Sequence, residues 1–140
     1  MKTFVAFLCL AAVLGRALSD KTACQISREK ALEENSLVKI VPECDENGEY
    51  APKQCFPGNK FCQCVRKDGS AIVEMSAIVK HCECMRARDL AVSRHLIGNY
   101  RPQCEKDGTY SRTQCWGSVG SCWCVDERGN KLLDKNAMDC

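Results

Sequence analysis

The chain has 140 residues, with 13 cysteines, 20 basic and 18 acidic side chains, and two histidines. So small a net charge excludes a nucleic-acid partner, which requires surplus Lys and Arg to displace counterions from phosphates, and gives no basis for broad adsorption to a membrane surface. The cysteine density is that of a disulfide scaffold.

At the N-terminus Lys2 supplies a positive start, residues 4–14 form an unbroken apolar run, and Ala17-Leu18-Ser19 offers small residues for cleavage. This pattern predicts a signal peptide over residues 1–19, since a run of eleven falls well short of the about 20 that a membrane-spanning helix needs. The mature chain is then 20–140, secreted and extracellular, and Cys9 has no part in the fold. Removing Lys2 and Arg16 leaves 18 basic and 18 acidic side chains. Twelve cysteines on a secretory route mean six bridges.

The mature chain repeats itself at an offset of sixty residues. Cys24, Cys44, Cys55, Cys62 and Cys64 align with Cys84, Cys104, Cys115, Cys122 and Cys124, and Cys82 matches Cys140 after a two-residue shortening. Two units follow, over 20–82 and 84–140, with Glu83 between them. Pro42, Gly48, Tyr50 and Gln54 recur as Pro102, Gly108, Tyr110 and Gln114.

In chain order, each unit opens with residues that favour a short, partly exposed helix, over 25–35 and 85–96. Asn47-Gly48 and Asp107-Gly108 are hairpin-turn dipeptides, because both residue types tolerate positive φ. One strand is expected to enter at Cys44 or Cys104 and another to leave through Tyr50 or Tyr110. Asp68-Gly69 and Arg128-Gly129-Asn130 mark a second turn. Trp123 and Val125 are expected to cover the small core. A unit of this size is marginal on hydrophobic burial alone, so its bridges must carry the fold.

The sequence offers little for catalysis. His81 and His95 have no repeated equivalent and read as surface residues, so no enzyme is expected. Cys62-Gln63-Cys64, Cys82-Glu83-Cys84 and Cys122-Trp123-Cys124 are spaced like metal-ligand pairs, but an oxidising compartment favours bridges, and neither a metal nor another cofactor is expected. Asn-x-Ser/Thr is absent, so no N-glycosylation is expected.

Gln114-Cys115, the six-residue gap, Cys122-Trp123-Cys124-Val125, the following Asp126 and Gly129, and the terminal cysteine together resemble the thyroglobulin type-1 domain. Pro102, Gly108 and Tyr110 fit it as well. The first unit departs from the pattern: Gln63 stands where the family has Trp, and Arg66 and Lys67 replace the acidic Asp126 and Glu127. The resemblance implies a small disulfide-rich α+β fold of two tandem modules, each a short helix and a small antiparallel sheet. It also implies sequential bridges: Cys24–Cys44, Cys55–Cys62 and Cys64–Cys82, then Cys84–Cys104, Cys115–Cys122 and Cys124–Cys140. Spacing alone leaves 15 connectivities open for each unit.

Some members of this family, the thyropins, inhibit papain-like cysteine proteases of the cathepsin L type by wedging three loops into the active-site cleft. Others bind other proteins, and the two-unit organisation also resembles thyroglobulin-type proteins of spider venom. Carried onto the second unit, the wedge comprises Gly98, Asn99 and Tyr100 from a first loop and Trp116, Gly117, Ser118, Val119 and Gly120 from a second. A third contact comes from Arg128 and Asn130. The expected partner is therefore a papain-like cysteine protease and the expected state a monomer. The alternative is a secreted binding module or venom component with another target. The first unit, with Phe56-Pro57-Gly58-Asn59-Lys60-Phe61 in its second loop, is expected to be the weaker or differently selective copy.

Overall fold

The computed structural model describes residues 20–58 and 60–140; residues 1–19, the expected signal peptide, and Asn59 of the first unit's second loop lie outside the described residues. The elements run α1 (Ala23–Glu33), β1 (Lys53–Cys55), β2 (Cys62–Cys64), α2 (Glu83–Ser93), β3 (Thr113–Trp116) and β4 (Ser121–Cys124). Each unit is thus one helix followed by a two-stranded antiparallel sheet.

Both helices begin two residues before the expected 25 and 85, because the first cysteine of each unit lies inside the first turn. Thr22 caps α1 reciprocally: its hydroxyl accepts from the Gln25 N–H at 3.3 Å, and the Gln25 side chain accepts from the Thr22 N–H at 3.0 Å. Helix α2 has no side-chain N-cap of this kind. Glu83, between the two units, is its first residue, and the Glu83 carboxylate accepts from the Cys82 N–H at 3.0 Å. Helix α2 ends before the expected position 96, and His95 just beyond it takes a left-handed φ of 50°.

Around Asn47-Gly48 and Asp107-Gly108, single bridges replace the expected strands, at Cys44↔Tyr50 and Cys104↔Tyr110. The chain changes partner after one pair. Tyr50 donates its N–H to Lys67 O at 3.2 Å, and Tyr110 to Glu127 O at 3.0 Å. The regular strands form one step later, where Cys55 faces Cys62 and Cys115 faces Cys122 across the sheets. The second turns close at Val65↔Ala71 and Val125↔Lys131.

The bridges run Cys24–Cys44, Cys55–Cys62, Cys64–Cys82, Cys84–Cys104, Cys115–Cys122 and Cys124–Cys140. Cys24, Cys62, Cys64, Cys82, Cys84 and Cys124 are buried with Val65 and Val79 of the first unit and Val125 of the second. Trp123 is only half-buried. With so little apolar volume enclosed, a ring of about 20 residues, contributing on the order of 3 kcal/mol by limiting the unfolded chain, matters more than any one side chain.

Polar contacts tie the two units together. Arg86 of α2 reaches into the first unit, donating from Nε to Val65 O at 2.9 Å and from Nη2 to Tyr50 O at 2.6 Å. Desolvation pushes its guanidinium pKa below the usual arginine value. Arg66 forks onto Asp89, with Nε–Oδ2 at 2.7 Å and Nη2–Oδ1 at 2.6 Å. Asp107 O accepts the backbone N–H groups of Lys80 and His81 at 2.8 and 3.2 Å, and the Asp107 carboxylate pairs with Lys80 Nζ at 2.9 Å. Gly108 lies against this seam so closely that an added Cβ would stand 1.7 Å from His81 O.

Candidate functional site

The recurring glutamine organises the loop edge from beneath. Gln114 is fully buried, and its amide donates to Gln103 O and Ser111 O, both at 2.7 Å, while its Oε1 accepts from the Gln103 N–H at 2.9 Å. Gln54 makes the matching bonds to Glu43 and Ala51 in the first unit. This residue fastens the segment entering the second cysteine to the first strand of the sheet. The second unit adds a clamp: the Gln103 side chain accepts from the Cys115 N–H at 2.6 Å and donates to Cys115 O at 3.3 Å. Glu43 stands at the matching position of the first unit.

On this base two of the three candidate loops of the second unit are tied together. The Trp116 indole N–H donates to Gly98 O at 2.6 Å, and a Cβ on Gly98 would stand 3.1 Å from Ser118 Oγ. Gly98, with φ of 75°, therefore accommodates both the turn and the neighbouring loop. Tyr100 lies between two indoles, 6.3 Å from the Trp116 ring and 5.1 Å from the Trp123 ring. Its hydroxyl donates to Gln114 Oε1, and burial raises its pKa above 10.0. Lys131 Nζ lies over the Trp123 ring at 5.9 Å, joining the third segment to this row.

The loop from Trp116 to Ser121 is closed by Val119 and Gly120 N–H groups donating to Trp116 O at 3.1 and 3.0 Å. Gly117, Ser118, Val119 and Gly120 are all exposed, and Val119 keeps 62% of its surface accessible. The loop contains no charged residue.

Other candidates serve the frame. Asn99 donates its amide to Ala91 O at 2.8 Å, anchoring the first loop to α2 rather than projecting outward. Asn130 bonds through both backbone and side chain to the Asp126 carboxylate, which also accepts the Arg128 N–H, all between 2.8 and 2.9 Å. These bonds, led by those from Asn130, hold the Asp126 carboxyl below its usual range. Arg128 and Asn130 thus belong to a closed turn, linked to the first two loops through Lys131 and Trp123.

The sequence reading missed Ile97. It is 104% exposed, and Leu37, sixty residues earlier, is 106% exposed. A large apolar side chain held wholly in water at the same loop position of both units is a feature that burial does not account for. The signal was available: Leu37 and Ile97 recur at the same offset as the cysteines, in a segment where no core was expected. Ile97 and Val119 leave an exposed apolar side chain on each of the two tied loops.

Among the described residues no cluster of His, Cys, Asp or Glu is arranged to hold a metal ion, and no helix is long and apolar enough to cross a membrane. The sequence profile described as thyroglobulin type-1 repeat matches residues 19–84 and 82–139. The chain is 45% identical over 130 residues to U20-hexatoxin-Hi1a of Hadronyche infensa, covering 91% of this chain and 89% of that protein. It is 36% identical over 112 residues to U24-ctenitoxin-Pn1a of Phoneutria nigriventer, covering 80% and 88%. Equistatin of Actinia equina is 29% identical over 136 residues, covering 89% of this chain and 57% of that protein.

Proposed function

Because the chain belongs to the thyroglobulin type-1 repeat family and carries two copies of the repeat, we propose that it is a secreted inhibitor of papain-like cysteine proteases. The second unit supplies the principal wedge. The observation that carries this reading is the cross-tied loop pair, in which the Trp116 bond to Gly98 O joins two loops that carry the exposed apolar side chains of Ile97 and Val119. A contact surface already ordered loses little conformational freedom on binding, and an uncharged loop enters a protease cleft without stripping water from a charge. Inhibition is non-covalent and rests on shape; the chain supplies no catalytic group to it.

The six bridges favour an oxidising compartment, in keeping with secretion. Titration of papain and of cathepsin L with the pure chain tests the proposal, with the active enzyme concentration fixed beforehand. Stoichiometric loss of activity is expected, and Ile97→Asp in the full chain should weaken it at least about tenfold by placing a charge at this exposed apolar position. No inhibition at micromolar chain would overturn the proposal.

A second reading is favoured by two relatives, the hexatoxin of Hadronyche infensa and the ctenitoxin of Phoneutria nigriventer, whose names mark them as toxins. On it the chain is a venom component whose same loop edge meets a target other than a protease. Channel block recorded with pure protein that leaves papain untouched would select this reading.

A further inference from the structure

We infer that Cys115–Cys122 is a thiol-exchange site, a bridge that a small thiol such as glutathione opens while the other five stay closed. Among the described residues it is the one bridge whose two cysteines are both exposed. It closes one of the two smallest rings, with a sequence separation of 7 against 16 to 20 for the four larger ones. In the chain-entropy account a small ring contributes least to stability.

The matching bridge of the first unit is an internal control. Cys55–Cys62 has the same separation, and its cysteines face each other in the same register. Yet Cys62 is only 3% exposed. The cover comes from the segment that follows. Cys62 exchanges backbone hydrogen bonds with Ser76, at 3.0 and 2.9 Å, and Val79, Ile72 and Val73 pack into the cluster around Cys62 and Cys64. In the second unit the corresponding interval is two residues shorter, with a separation of 16 instead of 18. After Leu132 N–H meets Cys124 O at 2.9 Å, the chain runs on to Cys140, and no described residue makes the backbone bridge to Cys122 that Ser76 makes to Cys62. The shortening therefore leaves Cys122 exposed where the first unit covers Cys62.

The exchange is a two-step transfer. A thiolate attacks one bridge sulfur and forms a mixed disulfide with it, while the other cysteine leaves as a thiolate and takes a proton. A second thiolate attacks the sulfur of the first thiol, releasing the oxidised thiol dimer and the remaining cysteine. Two electrons pass from two thiols to the bridge. The paired strands, the Gln103 clamp and the Trp116–Gly98 bond are not part of the bridge, so opening it removes the covalent closure beneath the loop from Trp116 to Ser121 without dissolving the unit. The consequence for inhibition, a weaker inhibitor, rests on the function proposed above; the opening itself does not.

The full chain is incubated in graded glutathione buffers, trapped with iodoacetamide and mapped by peptide mass. Cys115 and Cys122 should label at least about tenfold faster than Cys55 and Cys62, access being the difference between them. Equal labelling of the two pairs, or simultaneous labelling of all twelve cysteines, would overturn the proposal. The double substitution Cys115→Ala/Cys122→Ala, which keeps five bridges, should abolish the fast phase, and a fast phase that persisted would also defeat it. Comparing papain inhibition before and after selective labelling separates the two claims: a chain that never inhibits leaves the labelling map to stand or fall alone.

Discussion

The two units share their framework and differ where they face solvent. In both, a glutamine binds three backbone groups, a valine fills the core, and a glycine of the second turn, Gly69 or Gly129, lies against the ring of Tyr50 or Tyr110. The differences fall on three surfaces: the loop edge, the seam between the units, and the cover over the fourth cysteine. Residues that recur are those the small fold cannot do without, and the substitutions between copies show what each unit was free to change.

The seam gives the largest expected effects, because equivalent positions meet different neighbours. An added Cβ at Gly108 would strike His81 O, a backbone atom that cannot swing aside, whereas at Gly48 it would meet the Thr22 and Gln25 side chains at 2.8 to 3.1 Å. Both glycines have positive φ, 86° and 78°, so strain is common to both. Gly108→Ala should therefore cost about 3 kcal/mol or more, and Gly48→Ala about 1–2 kcal/mol. Denaturant unfolding with the bridges intact measures both, and equal losses would show that the seam closes less tightly than the contact implies.

Arg86 supplies the next contrast. Its counterpart in the first unit is Ile26, which is 55% exposed and has no second unit to reach into. Arg86→Met keeps the stem but leaves Val65 O and Tyr50 O without their donor, which should cost about 2 kcal/mol. Ile26→Ala should stay within about 0.5 kcal/mol, as exposed positions do. A neutral Arg86→Met would mean that water replaces the guanidinium at no cost.

These positions also mark what could be read from the chain. The repeated cysteines, the turn glycines and the family's residue pattern carried the fold, because each is a local requirement on spacing or φ. The role of Gln54 and Gln114 was visible only as recurrence; that the amide bonds two separate segments emerges once the chain has folded. The exposure of Ile97, unlike its recurrence, is not legible in the sequence, because its solvent position depends on where α2 stops. The framework bonds of Asn99 and Asn130 are not legible either, since an asparagine in a loop gives no sign of which carbonyl or carboxylate it will meet. Arg86 was wholly hidden, its partners being backbone atoms of the other unit.

At the loop edge the first unit has Phe56 where the second has Trp116, and a phenyl ring cannot donate. Trp116→Phe gives the second unit the first unit's residue there and removes the bond to Gly98 O. The loss of one neutral hydrogen bond, about 1.4 kcal/mol, should weaken papain inhibition about tenfold through faster dissociation. Unfolding stability should move less than affinity does. If affinity is unchanged, the loops are ordered without their tie.

The smallest effect concerns acid. Asp107 in the second unit corresponds to Asn47 in the first. The Thr109 hydroxyl, then Lys80 and the Thr109 N–H, hold the Asp107 carboxyl down from 3.8 to about 2. A carboxyl with a depressed folded-state pKa contributes stability that is complete above its unfolded pKa and disappears as pH falls through the folded value. The wild-type melting temperature should therefore fall between pH 4 and about 2. Asp107→Asn should flatten part of that fall while leaving the part due to Asp68 and Asp126, whose pKa values are also lowered. The side chain of Lys80 is largely exposed, so solvent screening keeps the effect at pH 7 below about 1 kcal/mol. Thermal melts from pH 7 to 2 decide the matter. Superimposable acid limbs for Asp107→Asn and the parent chain would mean that the second unit draws nothing from its aspartate that the first lacks with asparagine.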